Sequence, residues 1–226
     1  MELRASSGRI FFPLVMSVLL LFTSACSMQK SGSKVDASHA GKREKLSREV
    51  VKDESSEDRM VLKVDYLTPV SSIRNPEVFV YKEKRRLYII QSNVLVRDYP
   101  VGLGFNPRGD KEKEGDGRTP EGDFKICVKN SGSRFIKSLG LNYPDKKHAE
   151  RAFFAGAITP GEFRDILLAF EKRTTPPWST SLGGKIFIHA GGAHKDWTDG
   201  CIALYNSDME ELFQITGIGT PVSVRP

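Results

Sequence analysis

Ile186-Phe187-Ile188-His189-Ala190-Gly191-Gly192-Ala193-His194-Lys195-Asp196-Trp197-Thr198-Asp199-Gly200-Cys201-Ile202-Ala203-Leu204 carries the densest chemistry in the chain. Residues 185–189 read as a strand that ends on His189, and Cys201 closes a glycine-rich loop twelve positions later (201 − 189). A strand that ends, loops and returns can bring those two side chains face to face. A thiol near its free pKa of ~8.5 is mostly protonated at neutral pH, so a cysteine nucleophile needs an imidazole or a positive field beside it. His189 can act as that base and later return the proton to a leaving amine. Gly200 has no side chain, so the backbone N–H groups at 200–202 can approach a substrate carbonyl and stabilise its developing oxyanion. Taken singly, a strand cysteine is most often core and a lone histidine most often structural. A metal is the competing chemistry, with His189, His194, Asp196 and Cys201 as ligands. No Cys-x-x-Cys or His-x-x-x-His pair fixes that geometry, and no metal is expected.

Outward from this stretch, β-branched and aromatic runs dominate. Val78-Phe-Val-Tyr81 and Arg86-Leu-Tyr-Ile-Ile90 flank a charged hairpin turn, Lys82-Glu-Lys-Arg85, and Val94-Leu-Val-Arg97 continues towards Val101. Residues 102–117, rich in Gly, Asp, Asn and Lys, read as a long loop. Further strands are expected at 122–128 and 221–224. In the former, Phe124, Ile126 and Val128 make the apolar face and Cys127 falls on the other. Helical spacing at 163, 166, 167 and 170, after Thr159 as N-cap and Pro160 at the first position, predicts a helix over 160–172. Ser207-Asp-Met-Glu210 reads as a capping box opening another. The sum is a mainly β domain with two or three short helices and no internal repeat.

The 226 residues suffice for one good core rather than two full domains. The net charge of +6 suggests an acidic partner. The bases are spread along the chain among acids, with no basic helix, zinc knuckle or aromatic–basic stacking motif, so nucleic acid is not expected. Arg4 and Arg9 precede an apolar run from Ile10 to Phe22, too short to span a bilayer, and then Thr23-Ser24-Ala25-Cys26. That is the layout of an export signal over 1–26. The last four residues resemble a bacterial lipobox, whose cysteine, here Cys26, becomes the lipidated first residue. Residues 27–60 are polar, nearly charge-balanced and without apolar period, the composition of a flexible tether, and the folded domain is expected over 61–226. Beyond Cys26 the chain has two thiols, Cys127 and Cys201. They could form one disulfide in an oxidising compartment, or be one packed thiol, Cys127, and one reactive thiol.

Ile188-His189, then Trp197-Thr198-Asp199-Gly200-Cys201-Ile202-Ala203-Leu204, then Asn206 and Asp208-Met209, closely resembles the signature of L,D-transpeptidase catalytic domains of the YkuD type. Gly115-Asp-Gly-Arg-Thr-Pro-Glu-Gly122, Ser138-Leu139 and Tyr143-Pro144 extend the likeness upstream, so that it covers about 78–224. The resemblance implies a β-sandwich-like catalytic domain and acyl transfer on peptidoglycan stem peptides, without a cofactor. By it, Cys201 is the nucleophile, His189 the proton donor and acceptor, and Gly200 the glycine of the oxyanion turn. Thr198 matches the family's Ser/Thr position, and Trp197, Arg118 and Lys185 are candidates to meet substrate. The acceptor amine would come from a second stem or from a wall-linked protein. Water in its place would give a hydrolase with the same Cys–His pair, and a non-catalytic wall-binding lipoprotein is the reading of another class. The location implied is the cell envelope or periplasm, with a lipid anchor in the outer membrane. Two departures stand out: Ala190 where family members have Gly, and a longer stretch at 148–180, either a lid over the groove or an extra packed helix.

Overall fold

A computed structural model describes residues 62–133 and 136–226. The segments expected to be export signal and tether, Cys26 among them, and residue 61 lie outside the described residues. The elements run β1 (Lys63–Val64), β2 (Glu77–Tyr81), β3 (Arg86–Gln91), β4 (Val94–Pro100), β5 (Gly122–Ser133), β6 (Ile136–Leu141), α1 (Lys146–Phe154), α2 (Pro160–Glu171), β7 (Phe187–Ala190), β8 (Ile202–Leu204), α3 (Asn206–Ile215) and β9 (Pro221–Arg225). The strand order is β1-β4-β3-β2-β9-β5-β6-β7-β8, mainly β with short helices as expected. No helix among the described residues is long and apolar enough to cross a membrane.

Period-two alternation builds the core. Val78 and Val80 of β2, Leu87 and Ile89 of β3, Phe124 and Ile126 of β5, Ile188 of β7, Ile202 and Leu204 of β8, and Val222 and Val224 of β9 all point into one buried cluster. Met209, Leu212 and Ile215 of α3 join it at helical spacing. Each such aliphatic contributes roughly 1.5–3 kcal/mol by leaving water. The two halves of the strand order share this cluster because β5 belongs to both. It pairs with β9 through Gly122–Lys125 and with β6 from Ile126 onward.

The register shift between Ile126 and Val128 marks where β5 bulges, and Cys127 is the residue in between. Strict alternation, which set Cys127 opposite Val128, does not hold across a bulge: both are half-buried. Cys127 lines a cleft of about 470 Å³ with Phe170, Arg173 and Ile218. Burial raises its pKa despite a hydrogen bond with Thr175. Cys127 and Cys201 are not joined in a disulfide.

The helix at 160 starts as expected: Thr159 caps the Glu162 amide, and Glu162 reaches back to the Thr159 amide. At 207 the expectation fails. α3 begins two residues earlier, with Tyr205 rather than Ser207 at the N-cap and no side-chain cap, and Ser207 Oγ turns to Asp208 instead. The stretch around 148–180 is a pair of packed helices. Ala149, Ala152, Ile158, Ile166 and Leu182 form a second apolar cluster, with Phe153 stacked on Phe163 at 4.7 Å.

The loop after β4 is more ordered than its composition suggests. Two isolated bridges, Gly102 to Ala203 and Gly104 to Thr198, tie its start to the 198–203 turn. Asp116 accepts from Lys111 Nζ at 2.7 Å and from the amides of Glu112, Lys113 and Arg118. Burial works against the Asp116 carboxylate, but these donors outweigh it and its pKa is lowered. Lys82, 2 % exposed, donates to the carbonyls of Gly109 and Thr119 and to Glu121 at 2.7 Å. The loop is thus pinned from inside by charges.

Candidate active site

β7 and β8 are parallel neighbours, with Ile188 opposite Ile202 and His189 opposite Ala203. Residues two apart along a strand share a face, so Cys201, two before Ala203, lies on the same face as His189. The strand–loop–strand return expected from the sequence therefore exists, with the thiol at the mouth of β8 and the imidazole near the end of β7.

His189 is 3 % exposed, and its Nδ1 lies 2.6 Å from the carbonyl oxygen of Ala190. A carbonyl can only accept, so Nδ1 carries a proton, and Nε2 is the ring nitrogen able to act as base. The indole of Trp197 stands edge-to-face on this ring at 5.7 Å, and its Nε1 donates to the Gly192 carbonyl at 3.1 Å. Those contacts fix the imidazole plane. Cys201 Sγ receives the Phe187 N–H at 3.4 Å and lies 3.6 Å from the Lys185 carbonyl, to which its S–H donates.

The turn before the thiol is held by two hydroxyls. Thr198, buried, donates from Oγ1 to the Cys201 carbonyl at 2.7 Å and accepts the Gly200 N–H at 3.2 Å. Thr119 Oγ1 accepts the Gly104 amide at 3.1 Å and reaches the Cys201 carbonyl at 3.5 Å. Gly200 has φ +129°, and a Cβ there would sit 2.5 Å from the Arg118 carbonyl oxygen. The glycine is needed for conformation and clearance. Its own N–H, one of the donors expected to face a substrate oxyanion, is instead spent on Thr198. Gly200→Ala should lower the melting temperature by the equivalent of about 1–3 kcal/mol and slow Cys201 alkylation. A variant matching wild type in both would show that the turn accepts a Cβ.

Other expectations fare differently. Ala190 is buried in β7 opposite Leu204, and the positive φ values fall on Gly191 (130°) and Gly192 (104°). Alanine is therefore tolerated where family members have glycine. The Lys185 side chain is exposed, while its backbone meets the thiol. The Arg118 guanidinium is turned to Glu112 at 2.9 Å and to the Asp110 carbonyl, bracing the loop. Asp196, weighed as a metal ligand, pairs with Arg85 at 2.8 Å and accepts the Leu103 amide at 2.9 Å. His194 and Asp199 are exposed. Sequence reasoning missed Thr119, Gly104 and the Ala190 carbonyl. Thr119 lay inside the quoted 115–122 motif, whereas a backbone carbonyl leaves no mark in a sequence.

The model of the L,D-transpeptidase catalytic domain, YkuD, matches residues 75–224. No curated protein matches the chain. Among solved structures, it is similar to the helical cell shape determining protein Pgp2 from Campylobacter jejuni, at 21% identity and a TM-score of 0.45, over 66% of this chain and 47% of that one. Bd1075 of Bdellovibrio bacteriovorus is 18% identical with a TM-score of 0.45, over 73% and 51% respectively. An L,D-transpeptidase fragment from Xylanimonas cellulosilytica is 15% identical with a TM-score of 0.40, over 68% and 62%. The chain thus spans about half the length of the first two. With two thirds of its residues inside the matched domain, the chain belongs to the YkuD family of L,D-transpeptidase catalytic domains.

Proposed function

We propose that the protein is an L,D-transpeptidase that acts on peptidoglycan stem peptides through a thioester on Cys201. The observation that carries this reading is the parallel register of β7 and β8, which sets thiol and imidazole on one face, with the His189 tautomer fixed by the Ala190 carbonyl. Nε2 takes the thiol proton, and the thiolate attacks the carbonyl of the diamino acid that precedes a terminal D-Ala. The tetrahedral intermediate collapses, His189 returns the proton to the departing D-Ala amine, and the acyl group stays on sulfur. An acceptor amine, from a second stem or a wall-linked protein, then attacks the thioester, gives its proton to Nε2, and the thiol is regenerated. Gly200 serves the oxyanion turn by its backbone shape rather than by its own N–H. Trp197, beside His189, and the exposed Lys185 side chain are assigned to the substrate face; Thr198 acts from beneath it. The export signal, lipidation of Cys26 and an anchor in the outer membrane, with residues 27–60 as tether, complete the reading and would place the domain where wall substrate is.

Incubating the full-length protein with purified muropeptides, in parallel with Cys201→Ala, tests the proposal. New cross-linked dimers with wild type and none with the variant are expected. Shortened monomers alone would replace transfer by hydrolysis. No product of either kind, together with sugar-strand binding unaffected by Cys201→Ala, would leave a wall-binding module.

A further inference from the structure

The sulfur of Cys201 is held by two backbone groups that the reaction scheme does not use. Phe187 donates its N–H to Sγ at 3.4 Å, and the Lys185 carbonyl faces the same atom at 3.6 Å. Phe187 is the first residue of β7, and the chain just before it is irregular, with left-handed φ at Gly183 (72°) and Lys185 (54°). The Ile186 carbonyl of the same peptide accepts the Leu141 N–H at 2.9 Å, so pairing with β6 orients that N–H. Side-chain packing then holds the peptide in that place. The Phe187 ring lies so close to Gly140 that a Cβ there would be 2.9 Å from it, and Val128 lies at the same spot. The indole of Trp178 meets the ring edge-to-face at 5.9 Å. Trp178 also covers Gly184, where a Cβ would come within 2.3 Å of the indole. Trp178 comes from the 174–180 strap that leaves α2, and Gly183 N–H back to Thr180 at 2.8 Å closes that strap onto the glycines.

We propose that Trp178 is a positioning residue for the nucleophile: by clamping Gly184 and Phe187 it keeps the Phe187 N–H on the Cys201 sulfur and so favours the thiolate. The extra stretch after α1 then acts on the thiol through the backbone of 185–187. The two backbone contacts oppose each other, since the carbonyl favours the thiol and the N–H the thiolate. The N–H contact wins because a hydrogen bond to an ionised acceptor is roughly twice as strong as a neutral one, whereas S–H is a weak donor. Losing the clamp should therefore raise the thiol pKa.

This rests on the reading of Cys201 as nucleophile, and the test separates the two. The rate of iodoacetamide labelling of the full-length chain is followed against pH, with labelled peptides resolved by mass so that Cys201 is scored apart from Cys26 and Cys127. Trp178→Ala should move the Cys201 midpoint up by about one pH unit, a roughly tenfold loss of labelling at neutral pH. Trp178→Phe, which keeps an aromatic edge on Phe187, should restore most of it. Gly184→Ala, which displaces the indole without removing it, should reproduce the upward shift and decides the matter if Trp178→Ala fails to fold. Midpoints in Trp178→Ala or Gly184→Ala equal to wild type would overturn the role of Trp178, as would Trp178→Phe behaving like Trp178→Ala. A wild-type Cys201 already at the midpoint of a free thiol would overturn the nucleophile itself.

Discussion

Replacing His189 by alanine is expected to slow acylation of Cys201 by about 10²–10⁴-fold, the range in which a positioned general base acts. A carbapenem, whose strained β-lactam is an acylating agent for thiolates, offers a substrate-independent readout as the mass of a covalent adduct. His189 is buried and its Nδ1–H is given to the Ala190 carbonyl, so the base is Nε2 and no rotation is needed to present it. His189→Asn is the sharper variant. Its amide can still donate to the Ala190 carbonyl and hold the strand end, but it offers no basic nitrogen. Both variants should acylate equally slowly, and only His189→Ala should lose some thermal stability by leaving the Ala190 carbonyl without its donor. Acylation of either at the wild-type rate would remove His189 from the chemistry.

The strand–loop–strand return that carries His189 and Cys201 was legible because it depends on short-range order: a strand, a glycine loop and a return. The helix at 160 was legible for the same reason, since Thr159, Pro160 and Glu162 settle their cap locally. What escaped depends on distant partners. Ser207-Asp-Met-Glu210 satisfies the local capping rule, yet α3 begins at Asn206, where β8 delivers the chain. α1 was not foreseen, because its inward face is His148 with two alanines, too polar and too small to announce an apolar stripe. The charges read as a solvated turn and loop conceal Lys82 and Lys111, each 2 % exposed. A lysine buried by a carbonyl thirty residues away has the same letter as one in water.

The most consequential of these hidden charges is His148, and replacing it by leucine should destabilise the domain by about 3–5 kcal/mol, the cost of stranding a buried charge. His148 is fully buried in α1, with Nδ1 2.5 Å from Asp145 and Nε2 2.9 Å from Asp110. Both ring nitrogens face carboxylates, so the ring is an imidazolium. Burial alone would lower its pKa, but the hydrogen bonds to Asp110 and Asp145 outweigh it, and the pKa is raised above 6.5. Burial works against the Asp110 carboxylate too, yet His148 and the Glu121 amide hold it far below the ordinary 3.8. The constellation resembles a catalytic triad, but its imidazole has no surface open to solvent. It ties α1 to the loop whose Arg118 carbonyl backs Gly200, with Arg151 and Lys147 adding contacts to Asp110 at 2.9 Å each. The signs of the shifts set the pH window. The raised His148 contributes fully below about pH 6.5 and loses its contribution as pH rises through the folded-state pKa. The depressed Asp110 contributes fully above about pH 4 and loses its contribution as pH falls towards the folded-state pKa. Wild type should therefore be most stable relative to His148→Leu between about pH 4 and 6.5, with the gap closing on the alkaline side. Urea titrations of both proteins from pH 4 to 9 measure it; a gap that widens with rising pH would mean that the ring is neutral in the fold.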